Sequence, residues 1–374
     1  MAEKPDYDGL REKAGFRWSV SAAYYAYYAL TGIPIKDANT RPEAMIELIR
    51  QGRPKFRELW GDEIPMPGIS TPAVSYGHLN TLGAGLVFPE GGEVNYTRIC
   101  GSLGDGLRLL KRPVDFRTAG MVPFYLNFRE RLRKAFPGEN VGFGFSAQGP
   151  MTTAYCLRDL GIFTDVYDDP NGTKEFLSLI TESVLDYRRF LADLNGHPHV
   201  SPTGYKLYDD VGSMFSVSMW PEFVLPHYER VFEASTTGRR AAHIEDLRPE
   251  HLPLLEDVGL VDFDPGISHK INPKIIRQRC RVPFGWRMGS FHYAGLTMQE
   301  VEEWVYQAAA DGASYVFTTV EATMCQGSTP DRVKAFMRAA KKVEQMMKEG
   351  ALRSDVGEMV SHAGRRRFWD RWPQ

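Results

Sequence analysis

The stretch RRAAHIEDLRPEHLPLLEDVGLVDF, Arg239 to Phe263, limits the fold more than any other part of the chain. Ala241, His243 and Glu245 alternate with Ala242 and Ile244, the period of a strand, which sends the imidazole and the carboxylate out of one face. After Pro249, Leu252, Leu254 and Leu255 follow at helical spacing, and Val258, Leu260, Val261 and Phe263 form an apolar run that reads as the next strand. Strand, helix, strand in so short a span requires a parallel crossover. A His and a Glu leaving such a strand together are a candidate metal pair, and the lone Cys325, ~80 residues downstream, is a candidate third ligand.

The same alternation runs along the rest of the chain. Val141–Ser146 (VGFGFS) and Tyr205–Asp210 (YKLYDD) read as strands, with helices expected over Phe116–Phe136, from Met151, and over Thr173–Leu194 and Glu222–Phe232. Beyond Phe263 the expected order is helix Ile271–Cys280, strand Val282–Met288, helix Thr297–Ala309, strand Ser314–Thr319 and helix Arg332–Met346. This pattern predicts an α/β chain folded as a (β/α)8 TIM barrel. Residues 1–63 read as an N-terminal helical extension, 64–350 as the barrel and 351–374 as a tail. Tyr24, Tyr25, Tyr27 and Tyr28 cannot share one helix face, so the extension is expected either to cap the barrel or to meet a second copy in a homodimer. The tail places arginines beside Phe368, Trp369 and Trp372, a surface-docked terminus or a basic aromatic contact.

Lys and Arg number 45 against 47 Asp and Glu, so no overall field draws the chain to nucleic acid or to an anionic membrane. No run approaches the ~20 apolar residues of a membrane span, and MAEKPDYDGLREK lacks a hydrophobic signal core, so a cytoplasmic location is expected. The 4 cysteines, Cys100, Cys156, Cys280 and Cys325, lack CxxC spacing, against a disulfide framework or an iron–sulfur cluster.

Asp209 and Asp210 end a predicted strand, and adjacent strand residues point opposite ways, so one of them enters the mouth; Asp210 is the candidate acid–base residue, together with His292 in GSFHY. Tyr76, in a Pro- and Gly-rich region with His78, is a candidate pocket residue.

Four stretches carry a family resemblance: FSAQGPMTTAYCLRD (Phe145 to Asp159), YDDVGSMFSVSMWPEFVLPHYERVF (Tyr208 to Phe232), AAHIED, and QGSTPDRVKAF (Gln326 to Phe336). In order and spacing they resemble the uroporphyrinogen decarboxylase superfamily, and within it the corrinoid-dependent methyltransferases. The resemblance implies a zinc ion held by His243, Glu245 and Cys325, with Glu222 and Glu321 as reserve carboxylates, and implies substrate contacts from Tyr76, Gln148 and Tyr208. Glu245 stands where the family has a cysteine, so the implied site is a harder Lewis acid that favours an oxygen substrate. The arginine-rich and aspartate motifs with which the decarboxylase holds a tetrapyrrole are not recognisable. The implied activity is transfer of a methyl group from a methyl ether, such as a methoxylated aromatic, to a corrinoid (cobalamin) cofactor. The reverse direction, from methylcorrinoid to a thiol, and a metal-independent decarboxylase-like reaction are the alternatives. None of the 9 histidines lies in an Asp-x-His-x-x-Gly segment, so the corrinoid is expected on a separate carrier protein, with the methyl donor a small molecule.

Overall fold

The computed structural model describes residues 4–367, and Phe368, Trp369 and Trp372 of the tail lie outside them. Eight short strands alternate with helices: β1 Arg17–Ala22, β2 Ile69–Ser70, β3 Val141–Gly142, β4 Gly204–Tyr208, β5 Arg239–His243, β6 Asp262–Asp264, β7 Gly285–Arg287 and β8 Tyr315–Val320. The longer helices are α1 Tyr24–Thr31, α2 Pro42–Trp60, α3 Val122–Ala135, α4 Pro150–Arg158, α5 Pro170–Asn195, α6 Leu225–Ser235, α7 Pro273–Arg279, α8 Met298–Ala310 and α9 Thr329–Lys348. The α/β class expected from the alternation is therefore present.

The chain groups into two compact units, one of Met1–Gly32, Arg50–Pro67 and Ala241–Gln374, the other of Ile33–Ile49 and Gly68–Arg240, so the first 63 residues are shared between them. In the first unit β8 pairs in parallel with β1 on one side and β7 on the other, β5 pairs in parallel with β6, and the bridge Phe263–Phe284 links the two groups. Along β8 burial alternates, with Val316, Thr318 and Val320 inside. α8 starts at a capping box, since Glu300 N donates to Thr297 Oγ1 (3.3 Å) and Thr297 N to Glu300 Oε2 (2.7 Å). It packs on α9 through Trp304 and Phe336, whose ring centroids are 6.2 Å apart and whose side chains are fully buried. Truncating Trp304 to Ala would cost about 3–5 kcal/mol.

In the second unit β2 pairs in parallel with β3, and Val74 bridges Phe145 beyond them. A small antiparallel ribbon joins Leu86–Val87 to Asn95–Tyr96. α5 fits its expected span because both ends are specified: Asp169 accepts from Gly172 N (2.9 Å), Pro170 fits the first turn, and Gly196 closes the helix at φ 68. Its Phe176, Ile180, Val184 and Tyr187 face the core.

Three local expectations are corrected. Residues up to Trp60 are not all helical, because Arg17–Ala22 alternates and finds a parallel partner in β8. The helix expected from Phe116 begins at Val122, since the Asp115 carboxylate binds Arg117 N (3.1 Å) and Thr118 Oγ1 (2.9 Å) and holds a turn instead. The leucines after Pro249 form a 3₁₀ turn, Pro249–Leu255, because Pro253 has no N–H to continue an α-helix.

Candidate functional site

Within the first unit the chemistry gathers at the carboxyl end of β5. Ala242 and Ile244 are buried in the core, so alternation turns His243 and Glu245 the other way, as the spacing requires. In the parallel register His243 stands opposite Asp264, the last residue of β6, and Ile244 N donates to Asp264 O (3.2 Å). His243 Nδ1 is 3.0 Å from Asp264 Oδ2, and His243 Nε2 is 3.6 Å from Glu245 Oε1. A carboxylate at Nδ1 favours the Nδ1–H tautomer and leaves the Nε2 lone pair facing Glu245. Two acceptors set face to face are stabilised by a shared proton or cation.

The turn after β6 fixes the carboxylates. Asp264 Oδ1 accepts from Gly266 N (2.9 Å) and Glu245 Oε1 from Ile267 N (3.3 Å). Gly266 has φ 59, and a Cβ there would lie 2.1 Å from Glu245 Oε1. Only glycine meets both demands. Side-chain exposure rises from 5% at Asp264 through 16% at His243 to 36% at Glu245, so the orienting group is inside and the reactive edge meets solvent.

The other expected residues of this unit are placed differently. Cys325 is half-buried in the turn after β8, its Sγ 3.7 Å from Glu321 O, and burial pushes its thiol up to about 11. Glu321 is held by Ser290 Oγ (2.6 Å) and Arg287 Nη2 (3.3 Å). His292 is buried and accepts from Gly289 N at Nδ1 (3.1 Å), so Nε2 carries the proton; burial, with His269 adding to it, holds its pKa down to about 3. It is a neutral donor. Among the described residues no three His, Cys, Asp or Glu side chains are set to hold one metal ion. The structure thus brings together the histidine and glutamate of the expected triad and not its cysteine. Zinc bonds of about 2.0–2.1 Å in tetrahedral geometry separate two ligands by about 3.4 Å, close to the observed His243–Glu245 spacing, and a second carboxylate on the far imidazole nitrogen is the usual support of a metal-bound histidine. The donor pair fits a metal and the third donor does not join it.

In the second unit a cavity of about 570 Å³ opens among Ser146, Gln148, Arg188, Tyr205, Lys206 and Tyr208. A smaller hollow shares Ser75 and Gln148 with it and takes in Tyr76 and His78. The three residues expected to touch substrate, Tyr76, Gln148 and Tyr208, therefore line two adjoining spaces. His78 is buried, bonded through Nε2 to Ser183 Oγ (2.9 Å), and held neutral by burial at a pKa of about 3. Of the two aspartates Asp210 is exposed and Asp209 fully buried. Asp209 accepts from Met151 N (2.9 Å) and Thr152 N (2.6 Å) at the start of α4, against Gly149, where a Cβ would lie 2.5 Å from its carboxylate carbon. Burial raises its pKa to about 6 despite these two donors. Glu222, a reserve ligand, is exposed and paired with Lys174.

Sequence reasoning missed Asp264 and the anchoring role of Asp209. The DFDPG run after a predicted strand was the available signal for Asp264.

The profile of the uroporphyrinogen decarboxylase family matches residues 24–343, most of the chain. Among solved structures, a methyltransferase from Methanosarcina mazei superposes with TM-score 0.61 at 17% identity, covering 89% of this chain and 96% of that one, a likeness of fold. No curated protein matches the sequence. Among the described residues no helix is long and apolar enough to cross a membrane.

Proposed function

The chain belongs to the uroporphyrinogen decarboxylase family, and from that premise we propose that it is a methyltransferase on a closed (β/α)8 barrel, transferring a methyl group from a methyl ether, such as a methoxylated aromatic, to the reduced corrinoid of a separate carrier protein. The observation that carries the reading is positional. His243, Asp264 and Tyr208 are the last residues of their strands, Glu245 and Glu321 follow β5 and β8 by one or two residues, and Asp209 follows β4 directly. The carboxyl ends of parallel strands are where such folds keep their chemistry.

In an ether the methyl carbon is displaced only if the departing oxygen can hold the electron pair of the broken C–O bond, so that oxygen needs a proton or a Lewis acid. Zinc, when bound, supplies the Lewis acid; His243 and Glu245 would hold it and Asp264 would orient His243. Gln148, Tyr76 and Tyr208 line space for the donor molecule. Asp209 fixes the β4 end to the start of α4 and so keeps Tyr208 and Asp210 in place. The carrier docks transiently, because it has also to reach the next methyl acceptor, and its interface with this chain is modest and partly polar.

The test is reconstitution. The purified chain should hold about one zinc, lost in His243→Gln, and should release a phenol from a methoxylated aromatic only when a reduced corrinoid protein, or Co(I) cobalamin at high concentration, is added. Demethylation without corrinoid, or full activity in a metal-free preparation, would end this reading.

A further inference from the structure

The 570 Å³ cavity of the second unit holds a cation without a counter-ion. Arg188, on α5, lays its guanidinium over the Tyr205 ring, with Cζ 3.6 Å from the ring centroid. Burial alone lowers its pKa, to about 10. Among the described residues Arg188 has no hydrogen bond and no ion pair, and the cavity is lined by no Asp or Glu. Its neighbours are different. Arg189 is paired with Asp186 (2.5 Å) and His199 with Asp193 (2.6 Å). A guanidinium taken out of water without an anion is costly, and stacking spends its flat face on Tyr205, so its edge N–H donors are left for something in the cavity.

We infer that this cavity binds a small organic carboxylate with an apolar or aromatic body, held by a bidentate contact to Arg188. A planar fork of N–H donors matches a carboxylate. Val184, Leu185, Leu191 and the Tyr205 and Tyr208 rings give the body of the ligand an apolar wall, and the volume lies within the range of small-molecule sites. A phosphate dianion would draw on a second cation: Arg189 is paired with Asp186, and Lys206, which also lines the cavity, lies 5.2 Å from the Tyr208 ring centroid, whereas a carboxylate monoanion is matched by Arg188 alone. The inference names a ligand class for the cavity that the methyl-transfer reading assigns to the donor. It is tested by binding alone, so either can fail without the other.

Benzoate is titrated into the full chain by calorimetry, with no corrinoid present, beside its neutral isostere benzamide, phenyl phosphate and inorganic phosphate. Benzoate should bind at least about 10-fold more tightly than benzamide and than either phosphate. It should also shield Arg188 from phenylglyoxal, read by mass spectrometry. Arg188→Met should weaken benzoate about 10- to 100-fold, and Arg188→Lys by less. Equal binding of benzamide, tighter binding of either phosphate, no binding of benzoate, or an Arg188→Met variant that binds benzoate as the wild type does, would each overturn the inference. Should Arg188→Met not fold, the comparison of benzoate with benzamide and the shielding of Arg188 in the wild type decide it.

Discussion

Substituting Asp209 by Asn should change how stability depends on pH. Folding takes this carboxyl from its ordinary 3.8 to about 6, because removal from water outweighs the two N–H bonds it accepts. A raised carboxyl pKa means that the folded protein binds the proton more tightly than the unfolded chain does. The associated stability is fully present below pH 3.8 and is lost as pH rises through about 6. The rise from 3.8 to about 6 corresponds to about 3 kcal/mol, unscreened by solvent because the side chain is fully buried. Asn removes this titration. Met151 N and Thr152 N bond different oxygens of the carboxylate, and Asn puts an NH2 donor where one of those acceptors stood, a loss of about 1–3 kcal/mol. The stability of the wild type relative to Asp209→Asn should therefore fall by about 2 kcal/mol between pH 4 and pH 7. Urea unfolding across that range measures it through the fluorescence of Trp220, which bonds to Gly212 O (3.0 Å) three residues beyond Asp209. Hydrogen exchange at Met151 and Thr152 gives a local check. Parallel pH profiles for the two proteins would refute the argument.

Asp264→Asn should weaken zinc binding about 10- to 100-fold by freeing the His243 ring, measured by competition with a chelating dye; unchanged affinity would remove Asp264 from the orienting role. Gly266→Ala has to relieve both a φ of 59 and a Cβ 2.1 Å from Glu245 Oε1, so it should cost about 1–3 kcal/mol in thermal unfolding and lower zinc affinity as well. Cys325→Ser separates two arrangements: a zinc affinity within about 3-fold of wild type is expected if the ion rests on His243 and Glu245 without the thiol, and a loss beyond about 100-fold would show that the thiol moves in on metal binding.

Hydrophobic period and end signals made the α/β alternation legible from sequence alone. The span of α5 follows from Asp169, Pro170 and Gly196, and that of α8 from Thr297 and Glu300, because caps and apolar periodicity are local properties. The pairing of His243 with Glu245 was legible for the same reason: residues two apart on a strand share a face whatever surrounds them. What depends on distant chain was not legible. β1 reads as part of a helical segment until β8 lies beside it, and Asp264 becomes the partner of His243 only through the parallel register of β5 and β6. Asp209 and Asp210 are chemically alike in sequence; one ends fully buried at the start of α4 and the other exposed, a choice made by where α4 packs. Arg188 is one arginine among many until Tyr205 comes under its face and no carboxylate comes near it. Local sequence sets which way a side chain leaves its own element. Burial, register and the nearness of charges arise from long-range packing, so which of these side chains can do chemistry was decided only in the folded chain.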